Sequence, residues 1–267
     1  MSRRGWFAGA LAAALAVTLT FLALPLVALF VDTHPGALFD SLADSESLDA
    51  LRLSLETSAL ALAAIVLLGT PAAYLLATRS FRGRALVVTL LELPLVLPPA
   101  VAGIALLAAL GPKGILGPVL DDAGIELVLA TAGVVVALTY VASPFYLRQA
   151  QAAFAAVDPT LLAASRTLGA SEARAFLRVA VPLARGGLAA GAALAWGRAM
   201  GEFGATLMFA GSLRGVTQTA PLAIYDRFPT DFPAAIALSV VLLAVSAGVL
   251  LAVKVATGPE ALRRARP

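Results

Sequence analysis

The chain has 267 residues, 60% of them hydrophobic and 13% charged, with a formal net charge of +3 and no cysteine. A soluble domain carries about a quarter charged residues, so this composition excludes an ordinary water-soluble enzyme or binding module. Without cysteine, disulfides and thiolate metal sites are excluded as well.

Six apolar runs each reach the roughly 20 residues that cross a ~30 Å hydrocarbon core as a helix. They cover about 6–31, 53–78, 86–110, 127–147, 183–210 and 233–256. This pattern predicts an all-α integral membrane protein with six transmembrane helices, forming one domain over residues 1–267 without a linker or repeat. The first run follows Arg3 and Arg4 as a signal peptide would, but Trp6 to Val31 is far longer than the roughly 7–15 residues of a secretory h-region. It is read as a retained span. The loop after it is acidic and holds His34, the sole histidine. One imidazole makes no metal site, so His34 is read as an exposed loop residue.

Glu56 and Glu92 lie near the ends of the second and third runs and are read as interfacial or helix-packing residues. The third run contains Leu93-Pro94-Leu95-Val96-Leu97-Pro98-Pro99. Pro94, Pro98 and Pro99 free backbone carbonyls, which lipid tolerates only under cover of protein or beside a water-filled cavity. A gate and a simple kink both fit.

The longest connection, about Arg148 to Pro182, contains two helix starts. Asp158 before Pro159 supplies an N-cap acceptor and a proline at the first helical position. Leu161, Ser165 and Leu168 then recur at helical spacing up to Gly169, a residue suited to the left-handed position past a helix end. Ser171 and Glu172 open a second short helix, and Pro182 marks entry into the fifth span. A helical hairpin over about 158–182 is expected to project from the membrane.

The fifth run carries Gly197-Arg198-Ala199-Met200-Gly201-Glu202-Phe203-Gly204-Ala205-Thr206. Arg198 and Glu202 stand four apart on one helix face and can pair, offsetting a burial cost of about 2.5–3.5 kcal/mol for each charge in lipid. The pair reads equally as part of a translocation path and as a clamp between helices. Gly197 and Gly201 form a G-x-x-x-G face, which predicts close helix packing in the bundle or with a second copy.

With loops assigned alternately, 14 of the 19 basic residues, from Arg3 and Arg4 through Arg79, Arg148 and Arg174 to Arg266, fall on one side. The other side receives Arg52, Lys113, Arg214 and Arg227. The positive-inside rule then places both termini in the cytoplasm of a multi-pass cell-membrane protein, and sorting by loop instead of clustering on one face argues against nucleic acid as a partner. No G-x-x-x-x-G-K-[ST] loop occurs, so ATP hydrolysis in the P-loop manner is not performed by this chain. A membrane-embedded enzyme would need a nucleophile, metal or acid–base set that the bundle does not offer. No catalytic residue, metal site or cofactor is assigned.

Ala163-Ala164-Ser165, Gly169 and Val179-Ala180-Val181-Pro182 have the spacing of the EAA loop of ABC importer permeases. Ala163 and Val181 depart from that family's acid and leucine. The run Gly197 to Thr206, with Ala210-Gly211-Ser212, Thr217-Gln218-Thr219-Ala220-Pro221-Leu222 and the proline motif of the third run, resembles the molybdate, tungstate and sulfate permeases, the molybdate branch most. The resemblance covers about Leu53 to Lys254. It implies an ATP-driven oxyanion importer in which Ala163, Ala164, Ser165, Gly169, Ala170, Glu172 and Pro182 form the ATPase-coupling loop. Arg198, Glu202, Gly204, Thr206, Pro94, Pro98 and Pro99 would line the path or its gate. It further implies two permease copies, two copies of a separate ATPase that uses ATP and Mg, and an extracytoplasmic oxyanion-binding protein. Molybdate leads as substrate, followed by tungstate and sulfate. An ion-coupled secondary transporter is the alternative of another class, and it would need no such hairpin. Import suits ATP coupling, since a dianion entering against 100 mV costs about 4.6 kcal/mol.

Overall fold

A computed structural model describes residues 3–33 and 35–264; His34 lies outside them. The described residues form helices and connections, with no strand among them. The helices are α1 (Arg3–Val31), α2 (Pro35–Ala43), α3 (Ser45–Thr78), α4 (Arg84–Val96), α5 (Pro99–Leu110), α6 (Gly117–Asp122) and α7 (Thr131–Ala155). They continue with α8 (Pro159–Thr167), α9 (Glu172–Ala175), a π-helical turn (Phe176–Ala180), α10 (Val181–Met200), α11 (Gly204–Ala210), α12 (Ala220–Arg227) and α13 (Phe232–Arg264).

Among the described residues, four helical stretches are long and apolar enough to cross a membrane: 6–31, 45–78, 172–200 and 232–253. A fifth arises if α4 and α5, bent by 119° at their junction, count as one span. The expected count of six is therefore not reached on length and apolarity alone. The fourth run is the one missing from this set. It forms α7, shifted to 131–155, and lies at the centre of the bundle between α3 and α10. A helix sheathed by protein needs less apolar surface than one facing lipid, and α7 carries Thr139, Tyr140, Ser143 and Tyr146.

α3, α7 and α10 form the core. Glycines bring these helices close. A Cβ on Gly69 would meet the Tyr146 ring at 2.9 Å, and one on Gly187 would overlap the Ala153 Cβ. The Tyr146 hydroxyl satisfies its polarity against Thr70 Oγ1 at 2.6 Å. α1 lies outside this core, its described side chains nearly all exposed and apolar, in contact with α13. A helix that is apolar on every face suits a lipid environment.

Each end of the core is closed by its own contacts. At one end, Tyr74 of α3, Phe154 of α7 and Phe176 of the π turn pack with ring centroids 4.8–6.1 Å apart. At the other, Asp44 caps α3 by accepting from the Ser47 amide, and Arg227 at the end of α12 reaches both Asp44 and Ser47 Oγ. Arg214 adds an ion pair to Glu46 at 3.0 Å. Arg52, expected in an outer loop, sits inside α3 and pairs with Glu56 one turn on. Glu92 pairs across helices with Arg148 at 3.1 Å, tying α4 to α7.

Candidate functional site

Two expected spans are broken, and the breaks meet. The third run leaves the helical path at Leu97 and Pro98, both extended, and restarts with Pro99 at the first position of α5. Pro98 and Pro99 have no amides for the carbonyls of Pro94 and Leu95, and two successive prolines disfavour α geometry at Leu97 and Pro98, so α4 ends there. Pro94 sits inside α4 without ending it. The junction is a turn of 119°, far beyond a proline kink.

The fifth run stops at Met200 and resumes at Gly204, with Gly201, Glu202 and Phe203 between. α11 lies against α5. A Cβ on Gly204 would stand 2.8 Å from the Pro99 Cβ, and one on Gly103 would stand 2.6 Å from the Met208 Cβ and 2.7 Å from the Ala205 carbonyl oxygen. The proline motif and the glycine-rich motif, a hundred residues apart, thus form one structure. Gly103, which sequence reasoning passed over inside an apolar run, is half of that contact.

Glu202 is buried in the break, 1% exposed. Its Oε1 accepts from the Ala205 amide at 2.6 Å, and its Oε2 lies 2.5 Å from Arg198 Nη2. That second contact has ion-pair distance without hydrogen-bond alignment, so Oε2 is compensated in charge but lacks an aligned donor. Thr206 Oγ1, also buried, has no hydrogen-bond partner. Arg198 keeps 26% of its side chain exposed. The expected pair is therefore present, and it spans a helix end instead of a continuous helix face.

The G-x-x-x-G expectation fails within the chain. Nothing approaches a Cβ on Gly197, and Gly201 would meet only the Gly197 carbonyl at 3.7 Å. Both residues face outward. The close packing falls to Gly103 and Gly204, which have no such spacing, and to Gly187 and Gly191, a second G-x-x-x-G pair in α10 that meets Ala153, Gln149 and Tyr146 of α7.

At the other end of α10 stand α8, the turn at Gly169 and α9. Asp158 caps α8 by accepting from the Thr160 amide at 2.8 Å, and this bond holds its carboxyl below the usual range. Gly169 takes φ +85°, with its amide on the Arg166 carbonyl and the Ala170 amide on the Ser165 carbonyl. Ser171 caps α9. The expected stripe of Leu161, Ser165 and Leu168 is not the buried one. Leu162 is the buried anchor, while Leu161 is exposed and Leu168 is 88% exposed. Ala163 and Ala164 face solvent beside them, and Ser165 Oγ donates to the Leu162 carbonyl. Glu172 is held by Arg79 at 2.6 Å, an ion pair to the end of α3 that the sequence did not suggest.

The second arm is not a separate helix. α9, the π turn and α10 run on without interruption from Glu172 to Met200. The π turn has a local cause. Pro182 has no amide for the Arg178 carbonyl four residues back, and its ring would crowd that carbonyl; winding one residue wider removes both conflicts. Within it, the Val181 amide bonds the Phe176 carbonyl, five residues earlier. The 20 residues of α10 then separate hairpin from break by about 30 Å.

Among the described residues, no group of three His, Asp or Glu side chains is placed to hold a metal.

Comparison with known proteins supplies relatives for this arrangement. Residues 65–256 match the family model described as the binding-protein-dependent transport system inner membrane component. The molybdenum transport system permease protein ModB of Mycobacterium tuberculosis is 42% identical over 235 residues, covering 88% of this chain and 89% of that protein. ModB of Escherichia coli K12 is 40% identical over 182 residues, covering 68% and 80%. Among solved structures, a bacterial ABC transporter that imports the acidic polysaccharide alginate superposes with a TM-score of 0.74 at 18% identity, covering 99% of this chain and 98% of that one. At that identity the likeness is one of fold.

Proposed function

Because the chain belongs to the family of binding-protein-dependent transport system inner membrane components, we propose that it is the permease subunit of an ATP-driven importer of molybdate. The observation that carries the substrate is the 42% identity to a molybdenum permease over nearly the whole of both chains. Tungstate, of the same charge and shape, is expected to share the route.

In this reading α1, α3, the bent pair α4–α5, α7, the broken pair α10–α11 and α13 are the six spans, and both termini lie in the cytoplasm. Arg79, Arg84, Arg166, Arg174 and Arg178 all gather at the hairpin end, which supports that orientation. The hairpin docks on a separate ATPase, which uses ATP and Mg. Leu161 and Leu168, exposed beside the small residues Ala163 and Ala164, give it an apolar contact of low profile. The second arm, continuous with α10, carries movement at the hairpin toward the break that faces α5. Two permease copies, two ATPase copies and an external oxyanion-binding protein complete the transporter.

The test is labelled molybdate uptake in cells lacking their own permease, with this chain and its cognate partners supplied. Saturable uptake that tungstate competes, sulfate does not, and Gly169→Pro abolishes in an inserted protein is expected. Competition by sulfate moves the substrate to that anion. Uptake that persists without the ATPase identifies an ion-coupled carrier instead.

A further inference from the structure

The break between α10 and α11 is buried, with Glu202, Ala205 and Thr206 at most 1% exposed, and a backbone amide buried there needs a partner. α11 receives no cap from its own N-cap residue, because Phe203 has no acceptor in its side chain. Glu202, one residue earlier, fills that role from outside the usual position by taking the Ala205 amide at 2.6 Å. Ala205 is also the residue whose Cα and carbonyl oxygen stand 3.0 and 2.7 Å from where a Cβ on Gly103 would be. The carboxylate therefore fixes the very backbone unit on which α5 rests. Burying it would be costly alone, and Arg198, one turn back, supplies the compensating charge.

We propose that Glu202 is a positioning residue for transport: its Oε1 holds α11 in the seat formed by Pro99 and Gly103, and Arg198 serves to keep that carboxylate buried. The role goes beyond the importer reading, on which it rests for its functional consequence. The shape of the break then depends on one acceptor atom and not on the glycines that surround it. A neutral acceptor of the same reach, glutamine, can take the same amide without needing Arg198.

The chain has no cysteine, so a single introduced thiol is an unambiguous reporter. Thr206→Cys puts it in α11 at a fully buried site whose hydroxyl has no hydrogen-bond partner to lose. In the complete transporter carrying this reporter, Glu202→Ala is expected to expose the thiol to a membrane-permeant maleimide at least tenfold faster. Uptake is measured in the chain without the reporter, where Glu202→Ala should lower the maximal rate of molybdate uptake at least tenfold, with little change in the half-saturating concentration. Glu202→Gln is expected to keep the thiol protected and uptake within about threefold of the parent, and Glu202→Gln with Arg198→Ala to behave like Glu202→Gln alone. Equal thiol protection in the parent and Glu202→Ala overturns the proposal, as does a Glu202→Gln variant that labels or transports as poorly as Glu202→Ala. If the transporter without the reporter imports no oxyanion, the importer reading fails, while thiol protection still decides whether Glu202 seats α11.

Discussion

Gly103→Ala puts the contact between the two broken spans to a direct test. The new Cβ would lie 2.6 Å from the Met208 Cβ, whereas carbon atoms in contact rest about 3.5–4.0 Å apart, so α11 must withdraw by roughly 1 Å. It would also press on the Ala205 carbonyl oxygen at 2.7 Å, backbone that cannot rotate away. Overpacking of this kind costs about 1–3 kcal/mol. Gly197→Ala makes the matched control: nothing stands within 4 Å of its Cβ, and replacing a mid-helix glycine gains about 0.5–1 kcal/mol. Gly103 also lies inside a helix and draws the same gain, so the two variants, each a single added methyl group, should differ by the overpacking cost of about 1–3 kcal/mol. For a chain of this size that is on the order of 2–12 °C in melting midpoint. The assay is thermal unfolding of the purified chain in detergent, followed by the fluorescence of buried Trp196. Equal midpoints for Gly103→Ala and Gly197→Ala would refute the packing of α5 on α11.

Gly169→Ala places a side chain at φ +85° at a cost of about 1–2 kcal/mol; because its Cβ meets nothing, Gly169→Asn, which tolerates that conformation, should retain more uptake than Gly169→Ala. Leu168→Asp should leave the melting midpoint within a degree or two, since the side chain is 88% exposed, yet lower molybdate uptake at least tenfold if that leucine meets the ATPase. The hydrogen bond from Arg227, followed by those from Ser47, lowers the Asp44 pKa to about 2 from 3.8. A depressed carboxyl stabilises the fold above pH 4 and loses that contribution as pH falls toward 2; solvent screening of a side chain 39% exposed leaves roughly 1 kcal/mol. Arg227→Ala should accordingly narrow the difference in melting midpoint between pH 7 and pH 3. Pro182→Ala restores an amide opposite the Arg178 carbonyl, and hydrogen exchange across 178–183 should slow as the π turn tightens to α.

Composition and run length were enough to establish a helical membrane protein, and local signals placed the caps and the turn around Gly169 closely. Asp158-Pro159, Gly169 and Ser171 act through groups within three residues of themselves, so their caps and turn appear where the sequence puts them. The boundaries of α7 and the continuity of α9 with α10 were not legible. Burial against α3 extends α7 through Leu147, Ala150 and Phe154, and a π turn absorbs Pro182 without ending the helix. Arg79, which holds Glu172, lies 93 residues from it, and no spacing rule reaches that far. Sequence did not tell two G-x-x-x-G pairs apart: within the chain α7 approaches Gly187 and Gly191, and not Gly197 and Gly201, because which glycine is approached depends on where the neighbouring helix runs.

What the sequence by itself determined is therefore whatever acts over one or two helical turns: apolar runs, caps, the left-handed glycine, and Arg198 within reach of Glu202. What only the tertiary structure decided is that the runs at Pro98 and Gly201 both break, and that the two breaks seat against each other through Pro99, Gly103, Gly204 and Ala205. The reason is physical: a proline or glycine permits a break, but whether a helix breaks in an apolar layer depends on whether another segment covers the backbone it exposes.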